Sequence, residues 1–159
     1  MKIGFEIEGK PFGQQRPLGT VAYKWIGRYR KPYVKMIDRP ESVSYKLMVS
    51  AIGKSIYKDK PLKQVPLAVY ITSFYEIPKS YSKKKKQACL SHEEWPMKKP
   101  DVDNIEKGIL DGLNKVIYHD DAQVVETYNI KAFSNRPRVE VEIKTLDEPL
   151  RKLVDDEIN

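Results

Sequence analysis

The sequence predicts a small single α/β domain, a mixed β-sheet with helices packed on it, and three observations carry that expectation. Strand-like alternation opens the chain in "KIGFEIE" and closes it in "PRVEVEI". Between them, "VPLAVYITSFYEIP" is β-branched, aromatic and nearly all apolar, the composition of a strand buried in the middle of a sheet. Helical periodicity fills the intervals and is strongest over residues 104–117.

Taken in order, Ile3, Phe5 and Ile7 share one face of the first strand. "GKPFGQQRPLG" then interrupts it with two prolines and three glycines, a loop that offers Gln14, Gln15 and Arg16 as polar contacts. A second extended piece is expected around Tyr33 to Met36. "DRPESVSYKLMVSAIGKSIY" reads as a helix, with Pro40 near its first turn and Val43, Leu47, Ala51 and Ser55 on one stripe. A short basic helix is expected from Ser82 to about Leu90, followed by the loop "SHEEWPMKKP". Over residues 104–117, Ile105, Ile109, Gly112, Leu113 and Val116 fall within about 100° of a helical wheel, with Lys107 and Asp111 opposite. "AQVVETYNIKAF" and "RPRVEVEIK" supply the last two strands, joined at "SNRP". Val139, Val141 and Ile143 alternate there with Glu140, Glu142 and Lys144.

At 159 residues the chain can bury one core without staples. The lone cysteine, Cys89, excludes an internal disulfide and gives no sign of an oxidising compartment. No apolar run approaches the roughly 20 residues of a membrane span, and the start lacks a signal-peptide stretch, so a cytoplasmic protein with no membrane partner is expected. The charge is uneven. Residues 147–159 carry five acids against two bases, and removing that −3 from the total of +7 leaves +10 on residues 1–146. The expected organisation is therefore a domain over 1–146 and an acidic tail over 147–159. Within the domain, "KWIGRYRKPYVKMIDR" interleaves bases with aromatics and "KSYSKKKK" is a lysine run. One lysine run reads first as a solvated face; basic segments in three separate places point to a polyanion such as nucleic acid.

Against this background, "KPDVDNIEKGILDGLNKVIYHDDAQVVE" gathers like charges at Asp101 and Asp103 and again at Asp120 and Asp121. Residues two apart on a helix diverge by about 200°, so Asp101 and Asp103 can converge only from extended or irregular backbone, which Pro100 favours. Each acid also has a structural explanation. "DNIE" has the form of a capping box with Asp103 as N-cap and Glu106 three residues on, and Asp120–Asp121 fits a polar turn before a strand. Those explanations leave Asp101 and the recurrence of acidic pairs one helix apart unaccounted for. Both pairs meet only if the intervening chain doubles back. Oxygen donors with no cysteine, and only His92 and His119 for imidazole, suit a hard cation such as Mg²⁺ or Mn²⁺ rather than zinc. A hard metal beside a basic surface suits hydrolysis or transfer of phosphate esters. Lys107, four residues after Asp103, is placed either to stabilise that chemistry or simply to pair with Asp103 or Asp111. An EF-hand, an aspartyl-phosphate phosphatase, a P-loop and a Ser/His/Asp set all fail on the residues present.

"KPDVDNIEKGILDGLN" followed by "DDAQV" resembles the RusA family of Holliday-junction resolvases, found in bacteria and their prophages. "GKPFGQQRP", "YEIPKSYSKKKK" and "PRVEVEI" are similar to further segments of that family, so the likeness spans nearly all of residues 3–145. The resemblance implies a small mixed α/β homodimer that uses Mg²⁺, with Mn²⁺ as a substitute, to cut four-way DNA junctions by paired incisions in recombination and repair. It places catalytic acids on Asp101, Asp103 and Asp121, an essential lysine on Lys107, and metal ligation on Asp101, Asp103, Asp120 and Asp121. The expected DNA-binding set is Gln15, Arg16, Arg28, Arg30, Lys31, Lys83, Lys84, Lys85, Lys86, Lys98 and Lys99. The segment from Lys107 to Asp120 is one residue shorter than in the best-known member, and the amino-terminal half is longer. The alternative reading is a non-catalytic binder of branched or single-stranded DNA.

Overall fold

The computed structural model describes residues 1–146, so the acidic tail expected over 147–159 lies outside the described residues. The chain runs β1 (Lys2–Glu8), β2 (Leu18–Ile26), β3 (Tyr29–Ile37), α1 (Pro40–Ile56), β4 (Leu67–Glu76), α2 (Lys83–Leu90), α3 (Val102–Leu113), a 3₁₀ turn (Asp121–Gln123), β5 (Val124–Ser134) and β6 (Arg138–Thr145). A four-stranded sheet in the order β1-β6-β4-β5 is antiparallel except for the parallel pair β4 and β5, so it is mixed as predicted. The apolar "VPLAVYITSFYEIP" segment is central, flanked by strands on both sides. Although β5 and β6 follow one another, they do not pair, because β4 lies between them.

One face of this sheet carries the core. Ile3, Phe5 and Ile7 from β1, Leu67, Val69 and Ile71 from β4, and Val139, Val141 and Ile143 from β6 all point inward. They meet Tyr45 and Val49 of α1 and Ile105, Ile109 and Leu113 of α3. The two helices cross closely at Gly112, where a Cβ would stand 2.8 Å from the Cβ of Val49 and 3.1 Å from the carbonyl of Lys46. Burial of apolar surface at about 25 cal/mol per Å² makes this layer the main source of stability.

Three sequence expectations change here. The stripe Val43, Leu47, Ala51 and Ser55 does lie on one side of α1, but that side faces outward. Ser42, Tyr45, Val49 and Gly53 are the buried residues. Helix α3 ends at Leu113 rather than near residue 117, because Lys115 adopts φ 64° and turns the chain; Val116 and Ile117 are buried by that turn, not by helical continuation. The larger departure is β2. Where the sequence suggested one extended piece near Tyr33, residues 18–37 form a two-stranded antiparallel ribbon, closed by a turn at Gly27–Arg28 and separate from the main sheet.

Candidate active site

The carboxylates are placed by the two ends of α3. Helix α3 starts at Val102 with Asp101 as N-cap in extended backbone, and the Asp101 side chain makes no capping hydrogen bond. The capping box expected at Asp103 and Glu106 therefore does not form: Asp103 lies inside the first turn. Both acids are exposed beside the positive end of the helix dipole. Along α3, Ile105, Gly108, Ile109, Gly112 and Leu113 are buried. The opposite stripe presents Asp103, Glu106, Lys107, Leu110 and Asp111 at spacings of three, four, seven and eight.

The chain beyond α3 does double back, and buried groups hold it there. Lys115 donates its backbone N–H to Tyr118 (2.8 Å), Leu62 donates to Ile117 (2.9 Å), and His119 donates to Leu62 (2.8 Å). The buried Tyr118 hydroxyl donates 2.8 Å to the Leu110 carbonyl, tying the loop to the last turns of α3. Burial pushes the Tyr118 pKa up, and Asp121 and Asp111 push in the same direction. As a result Asp121 joins Val102, Asp103, Glu106, Lys107, Leu110 and Asp111 around one cleft of about 420 Å³.

Asp120, the next residue back, goes elsewhere. Its carboxylate accepts 3.0 Å from the Ala122 N–H, while the Gln123 side chain accepts 3.1 Å from the Asp120 N–H, a capping box on the 3₁₀ turn. That hydrogen bond from Ala122 holds its pKa below the usual carboxylate range. Asp120 faces a second cleft with Lys63, Gln64, His119 and Gln123. At the far end of the α3 stripe, Asp111 lies 3.6 Å from Lys46 Nζ, which is 2.5 Å from Asp38; the Asp38 hydrogen bond is the main reason the Lys46 pKa rises. Among the described residues no three His, Cys, Asp or Glu side chains are grouped tightly enough to hold a metal by themselves. The acids on the cleft are nonetheless all hard oxygen donors, with no sulfur or imidazole among the lining side chains.

A basic groove adjoins the cleft through Asp101. Pro100, on one side of Asp101, lines the groove, and Val102, on the other, lines the cleft. Lys10, Lys79, Lys98 and Lys99 surround this groove of about 450 Å³ with Tyr75. Lys98 and Lys131 stand over the Tyr75 ring at 5.3 and 5.4 Å. Burial, then the Asp101 charge, pushes the Tyr75 pKa up to about 12. The loop carrying Gln15 and Arg16 is pinned against the same place: Gln14 donates 2.8 Å to the Asn104 carbonyl, and a Cβ on Gly13 would lie 2.4 Å from Pro100. Both Gln15 and Arg16 are exposed there.

The other predicted DNA-contacting bases divide between two elements. Lys83, Lys84 and Lys85 are exposed and Lys86 half-buried on α2, whose N-cap Ser82 accepts from the Lys85 N–H. Arg28, Arg30 and Lys31 lie on the ribbon. Several functional candidates were not singled out from sequence. Glu106 and Asp111 belong to the cleft, and their spacing from Asp103 carries that signal. Lys10, Lys79 and Lys131 come from three distant segments that only the fold brings together.

The family model for endodeoxyribonuclease RusA matches residues 8–144. YqaN, an uncharacterized protein of Bacillus subtilis (strain 168), is 36% identical over 144 residues, covering 89% of this chain and 95% of its own length. The crossover junction endodeoxyribonuclease rusA of Lactococcus phage r1t is 31% identical over 144 residues, covering 87% of this chain and 93% of its own. The matched span runs from the end of β1 to the penultimate residue of β6 and takes in the cleft and its basic groove, and the chain belongs to the RusA endodeoxyribonuclease family.

Proposed function

We propose that this protein is a structure-selective endodeoxyribonuclease that uses Mg²⁺, or Mn²⁺ in its place, to resolve four-way DNA junctions. The observation that carries the reading is the meeting of Asp103, Lys107 and Asp121 on one cleft, next to Asp101 and a lysine-lined groove. Asp103 and Asp121, with Asp101 at the rim, would hold the ion. A site built from few carboxylates suits Mg²⁺, which commonly completes its shell with water and substrate phosphate rather than a full protein cage. When bound, the ion lowers the pKa of a water and offsets charge on the phosphate under attack.

The remaining work falls to side chains present in the cleft and groove. Lys107 is exposed and free of ion pairs among the described residues, so its ammonium can meet a phosphate oxygen. Glu106 and Asp111 keep the cleft acidic, which disfavours entry of a phosphate without a neutralising cation. The groove lysines and the ribbon bases hold the sugar-phosphate backbone on either side. Paired incisions in strands of like polarity call for two identical sites related by a twofold axis, hence a homodimer.

The deciding experiment incubates purified protein with a four-way junction and a sequence-matched linear duplex, with and without Mg²⁺. Symmetric nicks in the junction alone, only when metal is present, are expected. In EDTA binding should persist, with log affinity falling linearly against log salt. Junction binding without cleavage in either Mg²⁺ or Mn²⁺ would leave a non-catalytic binder. Equal cutting of the linear duplex would remove the structural selectivity.

A further inference from the structure

The Asp101 carboxylate has nothing of its own to hold it. It makes no hydrogen bond or ion pair among the described residues, so its aim is set by the backbone that carries it. That backbone is the stretch 98–101 leading into α3, and it has little apolar anchorage. Lys98, Lys99 and Asp101 are exposed and Pro100 is only half-buried.

The inner face of β5 supplies the grip instead. Asn129, Lys131 and Phe133 alternate on one side of that strand, and Tyr75 pairs with Phe133 from the neighbouring β4. Lys131 Nζ donates to the carbonyls of Lys98 (2.5 Å) and Pro100 (3.2 Å). The Tyr75 hydroxyl donates 3.3 Å to the same Pro100 carbonyl. Beyond Asp101, Asn129 Nδ2 donates 2.8 Å to the carbonyl of Val102. Alternate carbonyls on both sides of Asp101 are thus tied to the sheet.

Lys131 is poorly placed for any other task. Two of the three donors of its ammonium go to neutral carbonyls. It makes no ion pair among the described residues, and the lysines that line the groove are Lys10, Lys79, Lys98 and Lys99. Ordering a lysine costs rotamer entropy, and what this one secures is exposed backbone rather than core. Asn129 is used in the same one-sided way. Its Oδ1 is buried with no partner among the described residues, an unfavourable state tolerated beside the Val102 contact.

We propose that Lys131, assisted by Asn129 and Tyr75, is a positioning residue for the metal site: it fixes the approach to α3 so that the Asp101 carboxylate meets the cation held by Asp103 and Asp121. This rests on the proposed metal-dependent cutting and names residues outside the acids that set its geometry. Loss of groups that orient metal ligands typically costs about 10–100-fold in metal affinity or activity.

The test compares Lys131→Met with Lys98→Gln, a neighbouring groove lysine, in the full chain. Three quantities are read: Mn²⁺ affinity without DNA by electron paramagnetic resonance, junction affinity in EDTA across a salt series, and single-turnover cleavage at saturating protein. Lys131→Met should weaken Mn²⁺ binding about tenfold and slow cleavage about 30-fold. Its junction affinity and salt slope should stay close to wild type. Lys98→Gln should do the opposite, weakening junction binding and lowering the salt slope by about one at unchanged Mn²⁺ affinity. A Lys131→Met protein that behaves like Lys98→Gln makes Lys131 a phosphate contact and overturns the proposal. If Lys131→Met does not fold, Asn129→Ala carries the test: its Mn²⁺ affinity should fall about tenfold, and no fall overturns the proposal. Wild-type cleavage separates this from the nuclease reading. Loss of Mn²⁺ affinity in Lys131→Met without wild-type cleavage keeps the positioning role and removes the nuclease. Wild-type cleavage with Mn²⁺ affinity and cleavage unchanged in Lys131→Met does the reverse.

Discussion

The α3 cleft and the β2–β3 ribbon are both charged and both exposed, but they are anchored in opposite ways. Every apolar residue on the inner face of α3 is buried, and Tyr118 ties the return loop to it, so the cleft acids stand on the rigid core. The ribbon touches the core only through its two connections and keeps its side chains open on both faces. Cutting a phosphodiester needs acids held in place to fractions of an ångström, because misplacement costs rate steeply. Holding a polyanion needs only positive charge within reach. The contrast teaches that rigidity here is reserved for the end to which the proposed chemistry is assigned.

The largest effect that could break this contrast is at the acids. Asp103→Asn and Asp121→Asn should each lower junction cleavage by about 100-fold or more. Junction binding should hold or tighten, because a negative charge facing phosphate is gone. Gel-shift titration beside single-turnover cleavage separates the two effects. An Asp103→Asn protein cutting at the wild-type rate would return Asp103 to a structural role, although the structure already places it inside the helix rather than at the cap.

Next in size is the ribbon. Lys24 and Lys31 face each other directly, an arrangement unfavourable in isolation and relieved by an anion between them. Lys24→Gln/Lys31→Gln should weaken junction binding about tenfold at low salt and reduce the salt slope by about two. Melting temperature should hold or rise slightly, since neither residue is in the core and a like-charge pair is removed. Loss of cleavage at saturating protein, rather than loss of binding, would mean the ribbon helps shape the active site and that the two regions are not separable.

The helix crossing reverses that pattern of effects. Gly112→Ala inserts a methyl against Val49 and the Lys46 carbonyl, and overpacking of this kind costs about 1–3 kcal/mol. Urea denaturation should show the loss while junction binding at low temperature stays close to wild type. Unchanged stability would mean that α1 slides to accommodate the methyl, and that the cleft platform is softer than its packing implies.

How much of this was legible in the sequence follows the same division. The main-sheet strands announce themselves because alternation or continuous apolarity reports burial directly, whereas the mostly polar α2, with only Cys89 buried, has no such pattern. The ribbon does not announce itself, because a strand exposed on both faces has no burial to report, and its aromatics and bases read instead as a binding segment. In α1 the apolar pattern is real but marks the outer stripe; of the inward set, Tyr45 and Val49 lie against Gly108 and Gly112 of α3, and Gly53 lies against Leu113 and Val116. Asp103 and Lys107 shared a helical face by spacing alone. The approach of Asp121 required the loop reversal at Lys115 and the buried Tyr118, neither of which has a local signature.

The smallest expected effect is the sharpest comparison, because it lies one residue from one of the largest. Asp120 and Asp121 are adjacent and chemically identical, but Asp120 spends its carboxylate on the Ala122 N–H whereas Asp121 turns to the cleft. Asn caps about as well as Asp, so Asp120→Asn should leave cleavage, junction binding and stability near neutral pH close to wild type. The acid side should differ. A pKa held below its ordinary value means that Asp120 stabilises the fold above the usual carboxylate range, and that the contribution fades as pH falls through the lowered value. The Asn variant has no such titration, so its stability should fall less between neutral and acidic pH than that of wild type. Thermal melts across that range, run beside cleavage assays of Asp120→Asn and Asp121→Asn, read both outcomes. Equal loss of cleavage in the two variants would put Asp120 in the metal-binding set, and the cap seen here would then have to open when DNA and metal arrive.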